Sequence, residues 1–193
     1  LILTPGPNFI YVLTRGTTQG RSAALLSVIG LGVGVLVHTT LACIGVSTLI
    51  RSSYLAFQIL KYAGSLYLIF IGLKTLQKRG TPASDFSQKS MVKTRILSQS
   101  IIASLTNPKT MLFFLSFLPQ FVTQTSSNIS VQLFLLGGIY MLLTILIYGT
   151  LAYLSGRIGQ WLQSHTAKAS RLNWITASSF IGLGIWAFLP DRR

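Results

Sequence analysis

Acidic residues are almost missing from this chain: Asp85 and Asp191 stand alone against sixteen Lys and Arg, and long stretches carry no formal charge. That shortage excludes a surface built for water, because soluble domains carry about 25% charged residues and here the share is 9%. Cysteine is nearly missing too; the single thiol, Cys43, permits no intramolecular disulfide and reads as a small packed hydrophobe. One cysteine, one mid-span histidine and no intramembrane acid cannot assemble a metal site. Nor do they complete a catalytic triad, since His38 and Cys43 are five positions apart and off the closest helical spacings. The chain is therefore not expected to be an enzyme, and no soluble cofactor is implied. A net charge of +14 would suggest nucleic acid as the partner of a soluble chain. Here the basic residues sit mostly between apolar runs, without interleaved aromatic patches, so anionic lipid headgroups are expected instead of nucleic acid.

What is present is apolar length. Half the residues are hydrophobic and the mean hydropathy is +0.61. Uncharged runs extend from Ser22 to Ile50, from Thr110 to Gly156 and from Leu172 to Pro190. Each can hold at least one span, since roughly 20 apolar residues cross the hydrocarbon core. The fold class read from this is an all-α polytopic membrane protein of about six helices. Spans are expected near Leu1–Thr14 (partial), Ala23–Ile50, Leu55–Leu76, Ile96–Phe121, Val131–Ser155 and Leu172–Leu189. The chain opens Leu-Ile-Leu-Thr-Pro without a methionine, so it is expected to begin inside the first helix.

One membrane domain is expected over residues 1–193, with a first three-helix half at 1–76, a cytoplasmic loop at 77–94 and a second half at 95–193. That loop carries Lys78, Arg79, Lys89 and Lys93, whereas the connection at Thr123–Ser130 has no basic residue. Lys and Arg accumulate on the cytoplasmic side of short loops. Arg15, Arg21, Arg157, Lys168 and Arg171 then also face inward, and both termini face outward. Arg51 and Lys61 fall on the outer side. Halves with an odd number of spans are inverted repeats, and Phe70-Ile71-Gly72-Leu73 recurs as Phe180-Ile181-Gly182-Leu183.

Spans one and four carry helix breakers: Thr4-Pro5-Gly6-Pro7-Asn8 and Thr106-Asn107-Pro108-Lys109. Proline lacks the N–H and clashes with the carbonyl four residues back, so the carbonyls of Leu1, Leu3 and Ser104 should be released. At about 1.5 Å per residue, Pro7 lies about 12 Å from Arg15 and Pro108 about 20 Å from Arg95. Both breaks fall near the middle of a roughly 30 Å core, the pattern that marks a secondary-transporter site.

Lys109 sharpens this, because a mid-membrane charge is costly and usually faces a cavity or partner. Its natural counterion is a bound carboxylate, helped by the N-terminal end of the half-helix that starts at Pro108. Released carbonyls and the amides of Asn8 and Asn107 would hold an ammonium group. Together these describe a zwitterion, with a neutral amino acid favoured over lysine or arginine. Mid-span His38 is the titratable side chain there that ordinarily switches near neutral pH, so it is a proton-coupling candidate or a hydrogen-bonded core histidine. Gly30, Gly32 and Gly34 are assigned to close helix packing. Tyr140, Tyr148 and Tyr153 line a cavity or anchor at an interface.

At these residues the chain resembles the LysE/RhtB family of bacterial amino-acid exporters, on its homoserine and threonine branch. The matching segments are TPGPNFIYVLTRGTTQGRSAALLSVIGLGVGVLVH at Thr4–His38, LKYAGSLYLIFIGLKTL at Leu60–Leu76 and SLTNPKTMLFFLSFLPQF at Ser104–Phe121. The resemblance implies an inner-membrane exporter of amino acids or derivatives such as homoserine lactones, driven by the proton gradient. It marks Pro5, Gly6, Pro7, Asn107, Pro108 and Lys109 as signature positions. The absence of intramembrane carboxylates departs from carboxylate-based proton coupling. A channel or helical scaffold subunit, or an exporter of another small metabolite, is the competing reading, and the sequence permits a homo-oligomer. Loss of Lys109 is expected to abolish export, and loss of Lys61 to be milder.

Overall fold

The computed structural model describes residues 1–48, 53–77, 92–123, 128–164, 174, 177–179 and 181–185. Helix α1 (Pro7–Gln19) follows Gly6, whose extended backbone delivers Pro7 to the first helical position. There the missing N–H costs nothing and the fixed φ favours the helix. Gly20 then turns the chain at φ +88, a backbone conformation that a side chain would strain. Helix α2 (Arg21–Leu41) passes directly into a π-helical turn at Ala42–Val46. Helix α3 covers Tyr54–Gln77.

The fourth expected span is broken. Helix α4 (Lys93–Leu105) stops, Asn107 sits in extended backbone, and α5 (Pro108–Leu112) restarts with Pro108 at its first position. A π-helical turn at Phe113–Phe117 and a 3-10 turn at Leu118–Phe121 complete it, bent by 50° from α4. Helix α6 runs over Ile129–Ser164. Among the described residues three helices are long and apolar enough to cross a membrane, or four with the bent pair as one span. The chain is an all-α polytopic membrane protein. Most of the expected loop at 77–94, and half of the sixth span at Leu172–Leu189, lies outside the described residues.

Among the described residues two large apolar clusters, and a small one of Leu68 and Leu112, hold the helices together. Val12, Leu13, Ala24, Val28, Leu31, Tyr148 and Leu151 join α1, α2 and α6. Val35, Val46, Phe57, Phe114, Leu118 and Leu133 join the far end of α2 to α3, the π-turn after α5 and the start of α6. Leu36, Leu41, Leu55, Leu66, Leu142 and Leu146 are exposed, as a lipid-facing surface requires.

Close approach between helices follows a small-residue rule. A Cβ on Gly30 would stand 2.5 Å from Ser100 Cβ and 2.9 Å from the Leu97 carbonyl, and one on Gly34 would overlap Ser104. The glycine spacing in α2 therefore seats α4. Gly16 likewise meets Ser155, Gly64 meets Ser116 and Gly137 meets Thr39. Ser100, Ser116 and Thr39 return their hydroxyls to the carbonyl four residues back, while Ser104 donates across to the Leu31 carbonyl at 3.2 Å.

Two helix pairs make reciprocal contacts. A Cβ on Gly72 would stand 3.0 Å from the Ala177 carbonyl and 3.2 Å from Ile181 N; one on Gly184 would stand 2.8 Å from the Ser65 carbonyl and 3.2 Å from Ile69 N. Position 72 thus corresponds to 184, 69 to 181 and 65 to 177. Between α2 and α6, Thr39 meets Gly137 while Gly32 meets Ile145, a second nearly reciprocal pair. The tetrapeptide shared by Phe70–Leu73 and Phe180–Leu183 would pair Gly72 with Gly182, two residues out of step with the contacts.

Candidate functional site

The two helix breaks meet. Lys109 is 4% exposed, and its Nζ donates at 2.8 Å to the carbonyl of Thr4 in the segment before α1. Gly6 lies against the same side chain: a Cβ there would stand 3.3 Å from Lys109 Nζ and 3.5 Å from its Cδ. The break at Thr4–Asn8 and the break at Thr106–Lys109, about a hundred residues later, are thereby one place. Thr4, Asn8, Asn107 and Thr110, which lie in or beside the two breaks, are buried as well.

Asn107 caps α5, its Oδ1 accepting from the Lys109 N–H at 3.0 Å. This satisfies one orphan amide of the helix start. Pro7 and Pro108 open helices rather than kink them, and two of the three carbonyls expected to be released, those of Leu1 and Ser104, have donors. Leu1 O accepts from Thr4 N at 3.2 Å, and Ser104 O accepts from Asn107 N at 3.2 Å. The exception is Asn8, whose buried Oδ1 has no hydrogen-bond partner. A buried acceptor left unsatisfied costs about 1–3 kcal/mol, which makes it a point where a donor from a ligand would be favoured.

His38 stands one contact away. Its Nε2 lies 3.2 Å from the Ser104 carbonyl, the group left without a helical donor by Pro108. A carbonyl only accepts, so Nε2 carries a proton in this geometry. The ring stacks on Phe114 at 5.7 Å between centroids. Phe114 also packs edge-on against Tyr140 at 5.4 Å. Of the three tyrosines singled out in sequence, Tyr140 thus borders this place, Tyr148 is in the first apolar core and Tyr153 is exposed. Cys43 donates its thiol to the Ser130 carbonyl at 3.3 Å, so it joins the π-helical turn after α2 to α6 rather than lying among aliphatic side chains alone. No group of three His, Cys, Asp or Glu able to hold a metal occurs among the described residues.

Sequence reasoning missed two buried cations. Arg15 is fully buried and donates to Gln19 Oε1 at 2.8 Å, Tyr11 Oη at 2.6 Å and Gln99 Oε1 at 2.8 Å. Tyr11 Oη in turn meets Ser100 Oγ at 3.2 Å, so the cluster ties α1 to α4. The signal was a polar stripe, Tyr11-Arg15-Gln19, at four-residue spacing. Lys61 is 1% exposed on α3. Its burial removes the reason for expecting a mild effect from its loss, since that rested on a position at the outer edge.

The family model described as LysE type translocator matches residues 1–189. A homoserine/homoserine lactone efflux protein of Salmonella typhimurium is 30% identical over 193 residues, covering 100% of this chain and 92% of the relative. A leucine efflux protein of an Enterobacter species is 30% identical over 187 residues, covering 94% of this chain and 87% of the relative. An uncharacterized membrane protein of Vibrio cholerae is 26% identical over 183 residues, covering 95% and 88%. No solved structure matches the chain.

Proposed function

The chain belongs to the LysE type translocator family, and from that premise we propose that it is a secondary transporter in the bacterial inner membrane that exports neutral amino acids or derivatives such as homoserine, threonine or homoserine lactone. The observation that carries this reading is the meeting of two proline-started helices at buried Lys109. Interrupted helices at corresponding points of two halves are where transporters hold small solutes. The relatives named as efflux proteins for homoserine, its lactone and leucine set the substrate class.

In this reading Lys109 attracts the substrate carboxylate, and Asn8 Oδ1 accepts from its ammonium. Pro5, Gly6 and Pro7 on one side, with Asn107 and Pro108 on the other, hold the chain open enough for backbone groups to approach. His38 carries the coupling proton, since it is tied to the Ser104 carbonyl three residues before Asn107. The halves at 1–76 and 95–193 are inverted repeats, a reading supported by the reciprocal glycine contacts. The basic loop at 77–94 faces the cytoplasm and both termini face outward.

The test is metabolite efflux from dipeptide-fed cells carrying the full-length protein, beside cells carrying Lys109→Ala at equal membrane abundance. Selective appearance of a few neutral amino acids outside the wild-type cells alone is the expected result. Identical medium from both strains would sink the exporter reading in favour of a scaffold or a different solute.

A further inference from the structure

A cleft of about 360 Å3 opens where α1, α2 and α6 converge, lined by Gly16, Arg21, Tyr153, Leu154, Ser155 and Gly156, with Arg157 completing it. Helices α1 and α6 come close together there; a Cβ on Gly16 would overlap the Ser155 side chain. The Arg21 guanidinium lies on the Tyr153 ring, 3.4 Å from its centroid, which holds a flexible cation in a fixed place. Arg157 follows one turn later on the same helix as Tyr153 and is exposed, as is Arg21. Two guanidiniums therefore face one concave space whose lining contains no acidic residue.

Helix α6 adds a second feature at the same place. Leu135, Ile139, Leu142, Leu146 and Tyr153 are each more than half exposed, and Thr150 is exposed between the last two. Their spacing of three and four residues makes one face of the helix. From Leu135 to Tyr153 that face runs about 27 Å at about 1.5 Å per residue and ends at Arg157. An apolar track terminating in paired arginines matches a molecule with a long apolar chain and an anionic head.

We propose that this cleft seats the phosphodiester of one anionic phospholipid between Arg21 and Arg157, with an acyl chain laid along the exposed face of α6. The assignment rests on α2 and α6 being membrane spans, not on which solute the protein exports. Guanidinium forks match phosphate oxygens in pairs, and the track selects a membrane lipid over a free anion.

The experiment is native mass spectrometry of the full-length protein released from bilayers of mixed phosphatidylglycerol and phosphatidylcholine. Wild type should keep one phosphatidylglycerol through delipidation and discard phosphatidylcholine. Arg157→Gln should weaken retention about fivefold, the worth of one basic residue beside an anionic lipid surface. Arg157→Lys should keep part of it, and Arg21→Gln serves as the second variant should either fail to fold. Equal retention by wild type and both glutamine variants would overturn the site. So would equal retention of the two lipids, or a glycerol 3-phosphate adduct as strong as the lipid's, which would make the ligand a soluble anion. The readout needs no transport, so it stands or falls separately from the export assay.

Discussion

A lysine that is 4% exposed and donates to a carbonyl from a different helix break is fixed by protein rather than by a headgroup. Its charge is costly at that depth, so truncation has an effect on function that need not be an effect on folding. Gly6→Ala probes this gently: the new methyl would press on Lys109 Nζ and Cδ. Export should fall several-fold at unchanged membrane abundance, whereas unchanged flux would separate Gly6 from the site. His38→Gln retains a donor for the Ser104 carbonyl but no titratable ring. Flux through this variant should persist yet lose its response to an imposed pH gradient; a wild-type response would remove the proton role. Gln99→Leu breaks the bond to buried Arg15. Bonds to charged groups contribute about 1.5–3 kcal/mol, so a lowered midpoint in thermal unfolding is expected. An unaltered midpoint would show that Arg15 does not hold α1 to α4.

Among the helices, the close approaches are set by glycines, of which Gly16, Gly30, Gly34, Gly64 and Gly137 face serine or threonine. Without a hydrophobic drive between helices in lipid, close backbone approach and van der Waals contact must supply the attraction. Gly34→Val would push α2 off α4 at Ser104, and folded protein recovered in detergent should drop sharply. Gly45→Ala is the control, since nothing lies near a Cβ there, and its effect should stay within about 0.5 kcal/mol. Equal losses from both changes would deny the glycine seams their role. The π-helical turns at Ala42–Val46 and Phe113–Phe117 belong to this scale too, as such turns gather at functional positions.

For the whole molecule, the reciprocal contacts of Gly72 and Gly184 make a specific demand on arrangement. In a Cys43→Ala background, the pair Gly72→Cys with Ala177→Cys and the pair Ser65→Cys with Gly184→Cys should each cross-link within one chain. Electrophoresis after oxidation reads this directly. Formation of only one pair would show that the helices do not meet symmetrically in the membrane.

The amino-acid sequence by itself determined the solvent of this protein, its helical class and the place of its helix breaks. The reason is that near-absence of acids, uncharged runs and prolines act locally: each excludes alternatives within about one turn or one span, whatever the rest of the chain does. Even the seam of Gly30 and Gly34 was legible, because spacing alone puts them on one face. Tertiary structure alone decided what those local features meet. That Lys109 would find the Thr4 carbonyl, that His38 would reach the Ser104 carbonyl, and that Arg15 and Lys61 would be buried depend on partners in other helices. So does the register that pairs Gly72 with Ala177 instead of following the repeated tetrapeptide. Such pairings are set by how the helices cross and at what height, a choice made by contacts between positions as much as a hundred residues apart, which no local pattern records.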